Sequence, residues 1–175
     1  LSVDVLFDGS KSCFLRSFVK NPQEDELIRT AIQLHSAFCL PDNLPKRTNT
    51  YCTIVRDADK LDIMNTMRTS TPETIMNSTL AELAQSKISP EVKEAFLKHR
   101  CVKREEPADY VIGFICFVFE LNFPESYRIA LENKDALKLA SSPFGLQGGF
   151  TDPDTQDFFE KMKRELKDYL ASRAS

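Results

Sequence analysis

The fold class depends on one apolar stretch, Tyr110-Val-Ile-Gly-Phe-Ile-Cys-Phe-Val-Phe119, whose composition suits a buried strand as well as a buried helix. The apolar segment that contains it extends from Pro107 to Phe123 without an internal turn signal. Strands are short and bounded by turns, so this length favours a helix buried on most sides. The uncharged run Val111–Phe119 is much shorter than the roughly 20 residues needed to cross a bilayer.

The sequence also predicts helices before and after this stretch. Four dipeptides place an N-cap residue before a proline at the first helical position: Asn21-Pro22, Thr71-Pro72, Ser89-Pro90 and Asp152-Pro153. With only five Gly and nine Pro, the chain is poor in the turn formers that many short strands would require. We therefore predict an all-α single domain over residues 1–175. Its helices are expected from Pro22 to before Pro41, over 48–67, 71–85, 89–100, 107–123 and 126–132, and from Asp152 onward, with a loop over 141–149.

Composition limits the classes of function. The 175 residues are 42% hydrophobic and 28% charged, a globular balance. The net charge of −3 and the pI near 5.5 do not predict nucleic-acid binding. No membrane span is expected, and the cytoplasm is the expected compartment.

The five cysteines, at positions 13, 39, 52, 101 and 116, are widely spaced and include no C-x-x-C pair. This pattern indicates neither a zinc clip nor a disulfide framework. Cys13, Cys39, Cys52 and Cys116 lie among apolar residues, so we expect reduced thiols packed in the core.

Charge is concentrated in the middle of an otherwise apolar helix, between Ile54 and Met64. Helical spacing predicts one buried stripe made of Ile54, Ala58, Leu61 and Asn65. Asp59 would then lie at the edge of this stripe, where a carboxylate needs a cation to offset desolvation. Either Arg56, three residues earlier, or a metal ion could supply that charge. Asp57 would face another direction.

The chain has two histidines, His35 and His99. His35 shares a helical stripe with Ile28, Ala31, Ile32 and Phe38, so it is expected to face inward, as a core residue, a ligand or a substrate contact. His99 lies in a basic helix end, where a cation complements the helix dipole. The sequence contains neither a glycine-rich phosphate loop nor a nucleophile elbow.

The segment Arg56-Asp-Ala-Asp-Lys-Leu-Asp62 resembles the last motif of the HD superfamily of metal-dependent phosphohydrolases. The preceding Ala31-Ile-Gln-Leu-His-Ser-Ala-Phe38, followed by Leu40-Pro41, resembles the helix before that motif in bacterial members. The similarity continues through 88–96, 117–126 and the helix start at 152–155, and so covers nearly the whole chain. It places the sequence with small bacterial HD-domain proteins and implies an HD-like helical bundle.

The resemblance assigns roles to three residues. Asp59 matches the family's distant metal-binding aspartate, and Lys60 matches a neighbouring basic residue that can contact a substrate phosphate. His35 matches a histidine near the substrate or a second metal. The implied activity is hydrolysis of a nucleotide or another small phosphate ester, with a divalent cation (Mg, Mn, Fe, Co or Zn) that activates water.

The chain departs from the family pattern because neither histidine is followed by aspartate. The family's first histidine and its His-Asp pair have no match. Ser2-Val-Asp-Val-Leu-Phe7 resembles the helix that follows the pair, so the resemblance implies that the missing ligands lie upstream of these residues. The alternatives are a degenerate or truncated HD-like module that binds a partner without catalysis, and hydrolysis of a cyclic or signalling nucleotide.

Overall fold

The computed structural model describes residues 2–7, 14–37, 39–100 and 104–174. It is 74% helical, and the described residues contain no strand. The predicted all-α class is therefore confirmed, while the specific likeness to an HD bundle stays a prediction.

Ten α-helices are seen in the described residues, with short 3₁₀ turns at 14–17, 22–24, 116–120 and 143–145. The α-helices are α1 (Ser2–Phe7), α2 (Asp25–Leu34), α3 (Lys46–Thr69), α4 (Pro72–Met76), α5 (Leu80–Gln85), α6 (Pro90–Leu97), α7 (Pro107–Ile115), α8 (Pro124–Asn133), α9 (Asp135–Ser141) and α10 (Pro153–Arg173).

The decisive apolar stretch is helical, as predicted, but it is divided. The α-helix α7 ends at Ile115 and continues as the 3₁₀ turn Cys116–Glu120. Pro124 starts α8. A proline disfavours helical backbone angles in the residue before it, so Phe123 is extended. Most of α7 is buried, including Asp109, which is 0% exposed. The strand alternative is therefore wrong for this segment.

Two further differences arise at residues with left-handed backbone. The helix predicted over 71–85 is divided into α4 and α5 because Asn77 adopts φ +51°, a conformation that asparagine tolerates. Thr79 then caps α5 with a reciprocal Glu82 capping box. Lys134, at φ +60°, ends α8, and α9 follows without a sequence signal that we had recognised.

The chain divides into two compact units, 1–59 and 60–175, with the division inside α3. In the described part of the first unit, the buried apolar residues are Leu15, Ala31 and Cys52. The second unit holds a large core in which α10 packs against α8 and α9. The buried apolar face of α10 consists of Phe158, Phe159, Met162, Leu166 and Leu170. The single-domain interpretation stays a prediction.

Cys52 and Cys116 are buried, as expected, but Cys39 is exposed, so its predicted place in a core is wrong. Cys13, Cys101 and the inward-facing position predicted for Phe38 lie outside the described residues. None of the helices in the described ranges combines the length and the hydropathy that crossing a bilayer requires.

Candidate functional site

The face that α3 buries differs from the predicted one. Ile54 is 48% exposed, and Ala58 and Asn65 are exposed as well. The buried positions instead recur every fourth residue, at Cys52 and at positions 56, 60 and 64. The predicted stripe was wrong because three of the six buried positions of α3 carry charge, and a pattern of apolar residues does not include them.

Three charged residues of α3 are buried: Arg56, Asp57 and Lys60, at 8%, 2% and 5% exposure. Charged side chains are seldom buried unless they are paired. Because these three charges are buried in one helix, and because Lys60 is among them and Asp59 lies between them, this segment of α3 is the candidate site.

Arg56 contacts the end of α2 rather than Asp59. Its guanidinium donates hydrogen bonds to the backbone carbonyls of Ala37 and, at 3.4 Å, of Leu34. Carbonyls at a helix C-terminus lack intrahelical donors, so a cation there is favourable. The predicted ion pair between Arg56 and Asp59 is thus replaced by capping of α2.

Asp59 is half-buried, and within the described residues its carboxylate makes no hydrogen bond or ion pair. The next residue, Lys60, forms an ion pair in which Nζ lies 3.5 Å from Glu120 Oε2. Glu120 ends the 3₁₀ turn that follows α7, and its side chain is 34% exposed against 7% for Lys60. The structure therefore leaves the Asp59 carboxylate available and holds the Lys60 ammonium in place.

His35 is the C-cap residue of α2 and is half-buried. Its Nδ1 lies 2.7 Å from the Ile32 carbonyl oxygen, which can only accept, so Nδ1 carries the proton of the neutral ring. Nε2 is left as the acceptor or ligand atom. No hydrogen bond or ion pair joins His35 to Asp59 in the described first unit.

The described residues contain no group of three or more His, Cys, Asp or Glu that could hold a metal ion. Divalent cations in catalytic sites are held by several convergent ligands. Asp59 fits one position of such a set by its chemistry, but the described residues do not complete it.

His99 lies just beyond α6 with φ +52°. Its ring stacks on Phe119 and meets Tyr169, each at a centroid distance of 4.6 Å, and Nε2 lies 3.2 Å from Glu165 Oε1. In the same cluster, burial first and a hydrogen bond with Tyr169 second raise the pKa of Tyr127 to about 12. This packing agrees with a structural interpretation of His99.

A polar groove of about 430 Å³ lies within the second unit. We call it the α3–α9 groove. Sequence reasoning missed it because its two sides are nearly 70 residues apart, and only Leu61 and Asp62 belong to the segment 56–62 that the sequence singled out. Its lining consists of Leu61, Asp62, Asn65 and Arg68 from α3, with Asn133, Asp135 and Lys138 from the end of α8 and the start of α9.

Comparisons with protein-family models, with curated proteins and with solved structures find no match to this chain. The site must therefore be judged on its own geometry and on the motif at 56–62.

Proposed function

We propose that the protein is a metal-dependent phosphohydrolase of the HD type that acts on a nucleotide or another small phosphate ester. The observation that carries the proposal is the half-buried, unengaged carboxylate of Asp59, followed directly by the buried ammonium of Lys60. A carboxylate without a protein partner is open to a cation, and an adjacent fixed positive charge suits a phosphate.

A metal ion at Asp59 would need further ligands. The sequence holds two histidines and neither begins a His-Asp pair, so the proposal requires imidazole ligands from outside these 175 residues. When bound, the cation would supply an activated water and polarise the phosphoryl group.

Lys60 and His35 would act on the substrate directly. Glu120 pairs with the ammonium of Lys60, the residue that follows Asp59 in the sequence, and this ammonium can offset negative charge on a phosphoryl oxygen. His35 presents Nε2 because Nδ1 donates to the Ile32 carbonyl, so Nε2 can accept a hydrogen bond from the substrate or, once it has taken up a proton, pass that proton to a leaving group.

Metal content and hydrolysis, measured together on the full chain, test this proposal. We expect stoichiometric divalent metal and turnover of a nucleotide or phosphate-ester panel. Asp59→Asn should abolish the metal-dependent turnover, while Asp168→Asn, at an exposed aspartate of α10, should leave it unchanged. Turnover that survives Asp59→Asn would refute the role of Asp59.

One observation favours a second candidate, an HD-like helical module that binds a partner without catalysis. It is the lack of a three-ligand group among the described residues. A full chain that contains no metal after purification and after incubation with Mn²⁺ or Zn²⁺, and that hydrolyses none of the panel, would support this module over the hydrolase. Hydrolysis of cyclic nucleotides alone would favour the signalling-nucleotide variant of the enzyme.

A further inference from the structure

The α3–α9 groove contains two cations that the protein holds in place. Arg68 donates from Nε to Asp135 Oδ1 at 2.5 Å and from Nη2 to Asn65 Oδ1 at 3.1 Å. Lys138 donates from Nζ to the Asn133 carbonyl at 3.1 Å. Because these side chains already make hydrogen bonds within the protein, a ligand that binds them in this geometry loses less conformational entropy than one that must orient free side chains.

The groove has spare hydrogen-bond donors. A guanidinium carries five N–H groups and an ammonium three. The contacts above use two N–H groups of Arg68 and one of Lys138, and the described residues supply no further acceptors to them. This surplus suits a ligand with several acceptor oxygens, and a guanidinium pairs well with phosphate.

The acidic residues limit which phosphate compound fits. Asp135 is 10% exposed and neutralises Arg68 directly, whereas Asp62 is exposed and has no partner within the described residues. The Asp62 carboxylate repels a bare phosphate but accepts hydrogen bonds from hydroxyl groups. The groove therefore offers hydrogen-bond donors for an anion at Arg68 and Lys138, and an acceptor for hydroxyl groups at Asp62.

We propose that the α3–α9 groove binds a phosphate monoester that carries free hydroxyl groups. The phosphate lies against Arg68 and Lys138, and the hydroxyl groups donate to Asp62. The groove lining includes Asp62, the last residue of the segment 56–62, but neither Asp59 nor Lys60, so the proposed binding does not rest on the proposed hydrolase.

Binding of glycerol phosphate to the isotope-labelled full chain, followed by nuclear magnetic resonance, tests the proposal. We expect saturable shifts of the Asn65 and Asn133 side-chain amides, with weaker binding of inorganic phosphate and of glycerol. Lys138→Gln removes a charged hydrogen bond and should weaken glycerol phosphate binding about tenfold. Lys161→Gln removes an equally exposed charge on α10 and should change binding less than about twofold.

Asp62→Asn supplies the second readout. Without the carboxylate, inorganic phosphate should bind more tightly and the preference for glycerol phosphate should shrink. Because Lys138, Lys161 and Asp62 are all exposed, none of these variants removes buried contacts. Three results would overturn the proposal: unmoved groove amides, equal losses in the two lysine variants, or sulfate binding as tightly as the ester, which would mean an adventitious ion only.

Discussion

Lys60 shows how a buried charge depends on one distant partner. Its ammonium is 7% exposed at the side chain, and taking it out of water has a cost that a carboxylate must offset. Glu120 provides that carboxylate from 60 positions later in the chain. Because Lys60 is also a residue of the proposed site, stability and the proposed function would share this contact.

We predict that Glu120→Gln lowers the free energy of unfolding by about 2 kcal/mol. Removing one member of a fully buried pair costs about 3–5 kcal/mol, and the value is reduced here because Glu120 is one-third exposed. Chemical denaturation measures the change. Glu132→Gln, at an exposed residue of α8, serves as the control and should be nearly neutral.

Adding Lys60→Met to Glu120→Gln should recover part of the lost stability, because no uncompensated charge then stays buried. If the double variant is less stable than Glu120→Gln alone, the ion pair does not account for the effect.

Asp59 and Lys60 stay predictions as site residues, and sequence reasoning misjudged the charge expected beside Asp59. Arg56 was expected to serve Asp59, yet it caps the end of α2. Arg56 could pair with Asp59 or with the carbonyls at the end of α2. Which of them it contacts depends on how α2 packs near α3, and helical spacing within α3 does not contain that information.

At the scale of elements, helix starts were the best predicted features. Asn21, Thr71 and Asp152 each accept a backbone hydrogen bond as N-caps before a proline. Capping needs only residues within one turn, so the signal is local. The helix ends at Asn77 and Lys134 were missed because left-handed backbone at a non-glycine residue has no strong local signature.

The N-cap of α10 gives a prediction about pH. Asp152 Oδ2 accepts from the backbone N and the Oγ1 of Thr155, both at 2.9 Å, and the backbone bond is the first cause of its lowered pKa. Lys87, 3.3 Å away, lowers this pKa further. The folded state therefore favours the ionised carboxylate, whose contribution is present at neutral pH.

We expect wild type to exceed Asp152→Asn in free energy of unfolding at pH 7, and this difference to shrink as the pH falls below about 4, the unfolded value for aspartate. Asparagine keeps a cap oxygen but has no charge, so the comparison isolates ionisation. Urea denaturation of both proteins across acidic pH measures it. A difference that stays constant down to the lowest pH would contradict the assignment.

At the scale of the whole molecule, the two units differ in how much apolar surface they bury. The described first unit buries few apolar side chains, whereas the second unit has the extended core around α7 and α10. Phe96, at 0% exposure, contacts the rings of Phe119 and Phe158 in that core. Local openings are easiest where buried apolar contacts are few.

We therefore predict that backbone amides of α2 exchange with solvent faster than those of α10 between Phe159 and Leu166. Hydrogen exchange at neutral pH, resolved by residue, measures this. Equal protection in the two helices would show that the first unit opens only together with the second.

The amino-acid sequence by itself determined the all-α class and the positions of the capped helix starts, while the resemblance at 56–62 stays a prediction. These features depend on composition or on residues within a few positions of one another, so they can be inferred without knowing what packs where.

Only the tertiary structure decided which face of α3 is buried, that Lys60 pairs with Glu120, and that α3 and α9 enclose a polar groove. The physical reason is the same in each case. Burial and pairing of charge depend on residues 19 to 67 positions apart. A buried stripe that includes Arg56 and Lys60 has the sequence pattern of a solvent-exposed face until its partners are known.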